Sequence, residues 1–279
     1  LIVKRVMNGS HASAAAGQAL SASADTPVSE LASMAPETLV SDLTAAPAVV
    51  PPAAAGAALN WHEFAAPITL SVQVALTSSV IVFVLGTLAA WWMSKHRSFP
   101  GRTLLETVLL LPLVLPPTVV GFILLVSAGR KSSLGRAIEW LFGQPLVFTW
   151  WAAVLAAVVV AFPLVYQTMK VGFLSVDSDL LDAARSMGAS EPQLLRWIII
   201  PLAWRSLLTA YVLGFARSLG EFGATLMVAG NIPGKTQTLP TAIYVAVDSG
   251  NLTLAWWWTV CMMLISFIML LSVSRKKAA

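Results

Sequence analysis

SVDSDLLDAARSMGASEPQLLRWIIIPLAWRS, Ser175 to Ser206, is the stretch on which the reading of the whole chain turns. It is polar and punctuated, and it interrupts long apolar runs. Asp177 or Ser178 can cap a first short helix, Asp179 to Met187, and Gly188 suits the left-handed position that ends one. Ser190-Glu191-Pro192-Gln193 then opens a second helix. Ser190 is its cap, Pro192 sits in the first turn where a missing N–H costs nothing, and Gln193 reaches back as a capping box. Pro201 ends or kinks this second helix. The expectation is a helix-turn-helix pivoting on Gly188 and lying along a surface.

Outside this stretch the chain is of another kind. Hydrophobic residues make up 57% of it and charged residues 11%, against about 25% charged in soluble domains. A helix needs roughly 20 mostly apolar residues to cross a bilayer. Five runs qualify, near Ala66 to Met93, Leu105 to Ser127, Val147 to Phe173, Leu207 to Ala229 and Thr253 to Val273. Pro163 in the third run is read as a kink within one span. The Ala/Ser/Pro-rich segment 1–60 lacks apolar periodicity and is expected to be disordered, leaving a transmembrane domain over 61–279 with its informative loop at 174–204.

Basic residues orient the spans. Lys95, Arg97 and Arg102, then Lys170, Arg185, Arg196 and Arg205, then Arg275, Lys276 and Lys277 fall on one side. Arg130, Lys131, Arg136 and Lys235 fall on the other. The richer side is read as cytoplasmic, which places the N-terminus outside and the C-terminus inside. No Lys/Arg cluster alternates with aromatics to follow a nucleic-acid backbone. The single cysteine, Cys261, permits neither an internal disulfide nor a multi-cysteine metal site, and no His has partners at metal-ligand spacing. No cofactor and no catalytic residue is expected.

AGNIPGKT, Ala229 to Thr236, imitates a phosphate-binding loop, and AIYVAVD, ending at Asp248, imitates the magnesium-holding strand of the same ATPases. Such a loop needs a strand before it and a helix directly after it. Here an apolar span precedes, the stretch falls on the external side, and Pro240 is read as interrupting any following helix. Gly230, Pro233 and Gly234 are therefore turn residues, and Lys235 a solvated loop charge.

Within the opening stretch, Asp182-Ala183-Ala184, three residues, Gly188, nine residues, Ile198, one residue, Ile200 and Pro201 resemble the EAA signature of the permease subunits of ABC importers, with Asp182 for Glu and Ile200 for Leu. Ala216 to Tyr244 and Leu109 to Leu125 resemble the corresponding segments of molybdate permeases. The resemblance runs from about Pro67 to Arg275. It implies an all-α integral membrane protein of the type I ABC importer permease fold, in a bacterial inner membrane, with no enzymatic activity of its own. It implies that the first helix of the loop is a coupling helix docking on a cytoplasmic ATP-binding-cassette subunit, with Asp182, Ala183, Ala184, Gly188 and Pro201 as its key positions. Ala183 and Ala184 permit close approach, and Asp182 offers a carboxylate to a basic group on that partner. Two ATPase copies, a periplasmic or surface oxyanion-binding protein and a homodimeric permease complete the implied assembly. The cargo that the resemblance implies is molybdate, with sulfate/thiosulfate or tungstate as alternatives.

Arg217 and Glu221 fall within the fourth apolar run, four residues apart on one helical face. Ionisable residues inside a membrane usually face the bundle interior, so these two either touch the anion in passage or form a structural ion pair. Ser218, Thr225 and Thr118 are small hydroxyls that either line the path or bond helix carbonyls. Trp256, Trp257 and Trp258 read as an interfacial belt. A membrane enzyme is disfavoured by the scarcity of other polar groups in the spans, and a secondary transporter by the absence of an internal repeat.

Overall fold

The computed structural model describes residues 61–96 and 99–278. The segment 1–60, Arg97 and the side chains of the basic tail lie outside what is described. The described residues are helical, and helix α1, Trp61–Lys95, opens the domain. Helices α2, Arg102–Val114, and α3, Pro117–Ala128, follow and meet at 113°. The second apolar run is therefore not one straight span. Leu115 and Pro116 are both extended, as residues preceding proline tend to be, and Pro117 brings no N–H to the break. The loop beyond contains a helix that the sequence reading passed over, α4, Ser133–Phe142, although Leu134, Ala137, Ile138 and Leu141 recur at helical spacing; the Ser132 hydroxyl accepts from the Gly135 N–H at 2.8 Å.

Helix α5, Trp150–Leu174, runs through Pro163 without a break. It is the spine of the fold, with Ala152, Ala153, Ala156, Ala161, Val165 and Met169 fully buried. These small and branched side chains let α1 and the later helix Trp204–Leu219 lie close to it. Helix α6, Ser178–Ser186, and the segment α7, Glu191–Leu202, are the two limbs of the helix-turn-helix. Residues Leu195–Ile199 of α7 form a π turn just before Pro201. Pro201 lies inside the last turn, so it does not end the helix, which stops instead at Ala203.

Helix α8, Trp204–Leu219, leaves that corner at 80° to α7. It stops at Gly220 and the chain restarts as α9, Gly223–Ala229, so the fourth apolar run is also interrupted. Helix α10, Leu239–Asp248, carries Pro240 in its first turn, so Pro240 begins a helix where it was read as interrupting one. The α10 N-terminus is tied to α1, because the Leu239 N–H donates to the buried Ser71 hydroxyl at 2.6 Å. Helix α11, Leu252–Ala278, closes the described chain. Trp258 is not part of a belt. It is buried, stacks on Phe64 and donates its indole N–H to the Phe64 carbonyl at 3.0 Å, fastening α11 to α1. Trp256 and Trp257 stay exposed.

Among the described residues three helices, α1, α5 and α11, are long and apolar enough to cross a membrane, and up to five spans result if each bent pair, α2–α3 and α7–α8, counts as one. Exposed Leu, Val, Ile, Phe and Trp side chains cover α1, α2, α3 and α11, the surface expected of helices solvated by lipid.

Candidate functional site

Two regions hold the residues singled out in the sequence. The first is α6 and its junction with α7. The Asp177 carboxylate accepts from the Asp179 N–H at 2.9 Å, so Asp177 is the cap and the helix starts at Ser178, one residue early. Gly188 has φ +87°, a conformation in which a Cβ is strained and which explains a glycine at that position. Ser190 and Gln193 form the capping box, the Ser190 N–H donating to Gln193 Oε1 at 2.8 Å. No residue of α6 is buried, and Leu180, Asp182 and Ala183 are exposed, as is Met187 just beyond.

One residue that the sequence reading passed over joins the two limbs. Arg185 donates from Nη1 to Asp182 Oδ1 at 2.7 Å and from Nε to Glu191 Oε1 at 3.2 Å. Its guanidinium is held above its ordinary pKa by these bonds, that from Asp182 first and that from Glu191 second. The Asp182 carboxylate, read as an offer to a basic group on a partner, is thus already met within its own helix, although its side chain remains 70% exposed. The i,i+3 spacing of Asp182 and Arg185 was the available signal; the reach from Arg185 to Glu191 needed the turn at Gly188 to be known.

The second region is where the two interrupted runs meet. A Cβ built on Gly121 of α3 would stand 2.7 Å from Ala224 Cα, and one on Gly223 would stand 3.2 Å from Pro117 Cβ. The Pro116-Pro117 break and the Gly220–Phe222 break therefore lie against one another. Glu221 sits in the second break, 3% exposed. Its Oε2 accepts from Arg217 Nη1 at 2.6 Å and its Oε1 from the Ala224 N–H at 2.9 Å. Glu221 thus neutralises Arg217 and satisfies a free N–H of the first turn of α9 at once.

The other pathway candidates are not all brought together. Ser218 is buried on the packed side of α8, with no hydrogen-bond partner for its hydroxyl, and Thr225 is buried in α9. Thr118 is exposed at the start of α3, and Arg217 is about a third exposed. In the AGNIPGKT stretch Gly230 and Gly234 have positive φ, and the Thr236 hydroxyl accepts from the Ile232 N–H at 3.0 Å. That hydroxyl is fully buried and closes the loop on itself. AIYVAVD lies in helix α10, not in a strand. Among the described residues no group of three His, Cys, Asp or Glu is placed to hold a metal ion.

The chain matches one family model, that of the binding-protein-dependent transport system inner membrane component, over residues 82–275. The chain belongs to that family. Among the relatives of this inner-membrane component is a putative molybdenum transport system permease protein, YvgM, of Bacillus subtilis. It is 59% identical over 219 residues, covering 78% of this chain and 96% of the relative. The molybdenum transport system permease ModB of Escherichia coli K12 is 42% identical over 182 residues, covering 65% and 79%. The fold is also that of solved importers. A chain of the methionine ABC transporter MetNI in an inward-facing conformation superposes with a TM-score of 0.59 at 16% identity, covering 75% of this chain and 92% of that one. This inner-membrane component is a multi-pass permease subunit of the type I ABC importer fold and is not itself an enzyme.

Proposed function

We propose that this permease subunit carries molybdate across the bacterial inner membrane, driven by ATP hydrolysis on a separate cytoplasmic subunit. The observation that carries the coupling half of this reading is α6, a helix with no buried residue that is nevertheless locked in position by Arg185 and Gly188. Leu181 seats this helix on the core, half-buried, while Leu180, Asp182 and Ala183 stay exposed and open to another surface. Leu180 and Met187 offer apolar contact, and Ala183 permits close approach. Asp182, Ala183, Ala184, Gly188 and Pro201 form the proposed coupling element, with Arg185 added to it.

The cargo half rests on the similarity to molybdenum permeases over most of both chains. By this reading two copies of the permease enclose the path on a two-fold axis, two ATPase subunits dock on the α6 helices, and a binding protein delivers the anion outside. The α6 side is cytoplasmic and the N-terminus external. Arg217, with its charge balanced by Glu221, and Thr118 remain the pathway candidates that keep exposed surface.

Uptake of radiolabelled molybdate into cells lacking their own system, with the ATPase and binding-protein partners co-expressed, tests the proposal. Uptake that survives excess sulfate and falls with tungstate is expected. Abolition by sulfate moves the cargo to sulfate, and no uptake by an assembled complex overturns the molybdate reading.

A further inference from the structure

The ends of α5 and α8 nearest the coupling segment flank an open groove of about 600 Å³, lined by Gln167, Thr168 and Val171 of α5 and by Arg205, Ser206 and Thr209 of α8. We propose that this groove is a weak binding site for a tetrahedral oxyanion, with Arg205 as its cation, through which the cargo leaves the path. The proposal rests on the oxyanion-import reading above and extends it to a site.

Five of the six lining side chains are polar, one is cationic and none is acidic. Arg130, Arg185 and Arg217 each hold a carboxylate, whereas among the described residues Arg205 makes no ion pair and only overlies the Trp204 ring at 5.9 Å. The Thr168 and Thr209 hydroxyls already donate to the carbonyls of Leu164 and Arg205, at 2.8 and 2.9 Å. The donors left for a ligand are the Arg205 guanidinium, the Gln167 amide and the Ser206 hydroxyl, a set that suits an anion presenting several equivalent oxygens. The volume leaves room for partial hydration, at about 30 Å³ per water, as a site that must release its ligand requires.

The rest of α8 points the same way. Arg205, Thr209, Leu213, Ala216 and Arg217 recur at helical spacing along one side of it, Arg205 and Ala216 exposed and the other three half-buried, and three of the five are polar. A lipid-facing strip would be apolar, and polar strips in membrane helices face the bundle interior or water. This one carries two arginines about 18 Å apart at about 1.5 Å per residue. Arg217 is neutralised by Glu221 and Arg205 is not, so a dianion following the strip meets the uncompensated charge at the coupling end. Beside the groove α5 and α8 are in close contact, because a Cβ on Gly172 would stand 2.3 Å from Ser206 Cβ.

The test uses the complete complex in nanodiscs, free of nucleotide and without binding protein, titrated with radiolabelled molybdate by equilibrium dialysis. Arg205→Ala is expected to weaken one site per permease subunit by roughly tenfold or more, the loss of a charge-assisted bond. Arg205→Lys is expected to keep part of it, and added salt to weaken the wild-type site. Should Arg205→Ala fail to assemble, the Gln167→Ala/Ser206→Ala double variant is read in its place, with weakening again expected. Isotherms that do not respond to these substitutions, or no binding to the wild type, overturn the site. Wild-type uptake in reconstituted vesicles separates the two ideas: uptake with unresponsive isotherms removes the groove alone, and no uptake removes the import reading beneath it.

Discussion

Arg217 and Glu221 differ in what each leaves behind when the other is removed. Glu221 is buried, while Arg217 is about a third exposed. Arg217→Ala strands a charged carboxylate in the break between α8 and α9, whereas Glu221→Gln leaves a guanidinium that water reaches. Removing one partner of a buried pair costs about 3–5 kcal/mol; partial exposure brings the expected cost of Arg217→Ala nearer to about 2 kcal/mol. Thermal unfolding of the purified complex should show Arg217→Ala destabilised more than Glu221→Gln, and the double variant recovering part of the loss. Equal losses, with no recovery in the double variant, would remove the pair as a structural unit. At this scale the sequence was most legible where the chemistry is local. Gly188, Ser190, Pro192 and Gln193 take their expected conformations because each depends on residues within one turn of helix. Trp258 was misread because its partner, Phe64, stands 194 residues away.

At the scale of elements, the Arg185 bridge ties α6 to the start of α7, beside the backbone bonds of the Gly188 turn and the seat of Leu181 on the core. Arg185→Ala removes that bridge without touching an apolar contact. The expected result is folded, assembled complex in which binding-protein-stimulated ATP hydrolysis continues while molybdate uptake falls several-fold. A parallel fall of both activities would place Arg185 in assembly, and unchanged uptake would remove it from coupling. The meeting of α3 and α9 is tested by Gly121→Leu. The added side chain is directed at the Ala224 backbone, which cannot yield as a flexible side chain would, and overpacking of this kind costs about 1–3 kcal/mol. The measurement is the midpoint of thermal unfolding, and an unshifted midpoint would contradict the close approach. The prolines at 116 and 117 were plain in the sequence, yet the 113° bend was not. A proline in a membrane helix is compatible with a slight kink or a full turn of direction, and packing of Gly121 against Ala224 decides between them. The break at Gly220 was missed although Arg217, Gly220, Glu221 and Gly223 interrupt the apolar run there, because the four-residue spacing of Arg217 and Glu221 reads equally well as one face of a continuous helix.

Among the described residues, one side of α8 carries Arg205, Thr209 and Arg217, partly exposed, beside surfaces suited to lipid. A second copy across a two-fold axis covers such a strip in a way that a lone bundle does not. Native mass spectrometry of the complex released from detergent is expected to give two permease chains with two ATPase chains. A single permease copy in a transport-competent complex would require another helix to close the path. The fold class was legible as a whole because composition and run length alone demand apolar helices, while the positions of the breaks are properties of the assembled bundle.

The corner at Ala203 can be treated as the fulcrum of a bell crank. On one side lie the twelve residues of α7, an arm of about 18 Å, and on the other the 16 residues of α8, an arm of about 24 Å. With arms so nearly equal, a rigid crank gives almost no mechanical advantage. Displacing the α6 end by about 3 Å carries the far end of α8 only about 4 Å. By the coupling reading proposed above, the linkage magnifies a stroke by only about a third, so the motor must itself travel most of the distance that the gate opens.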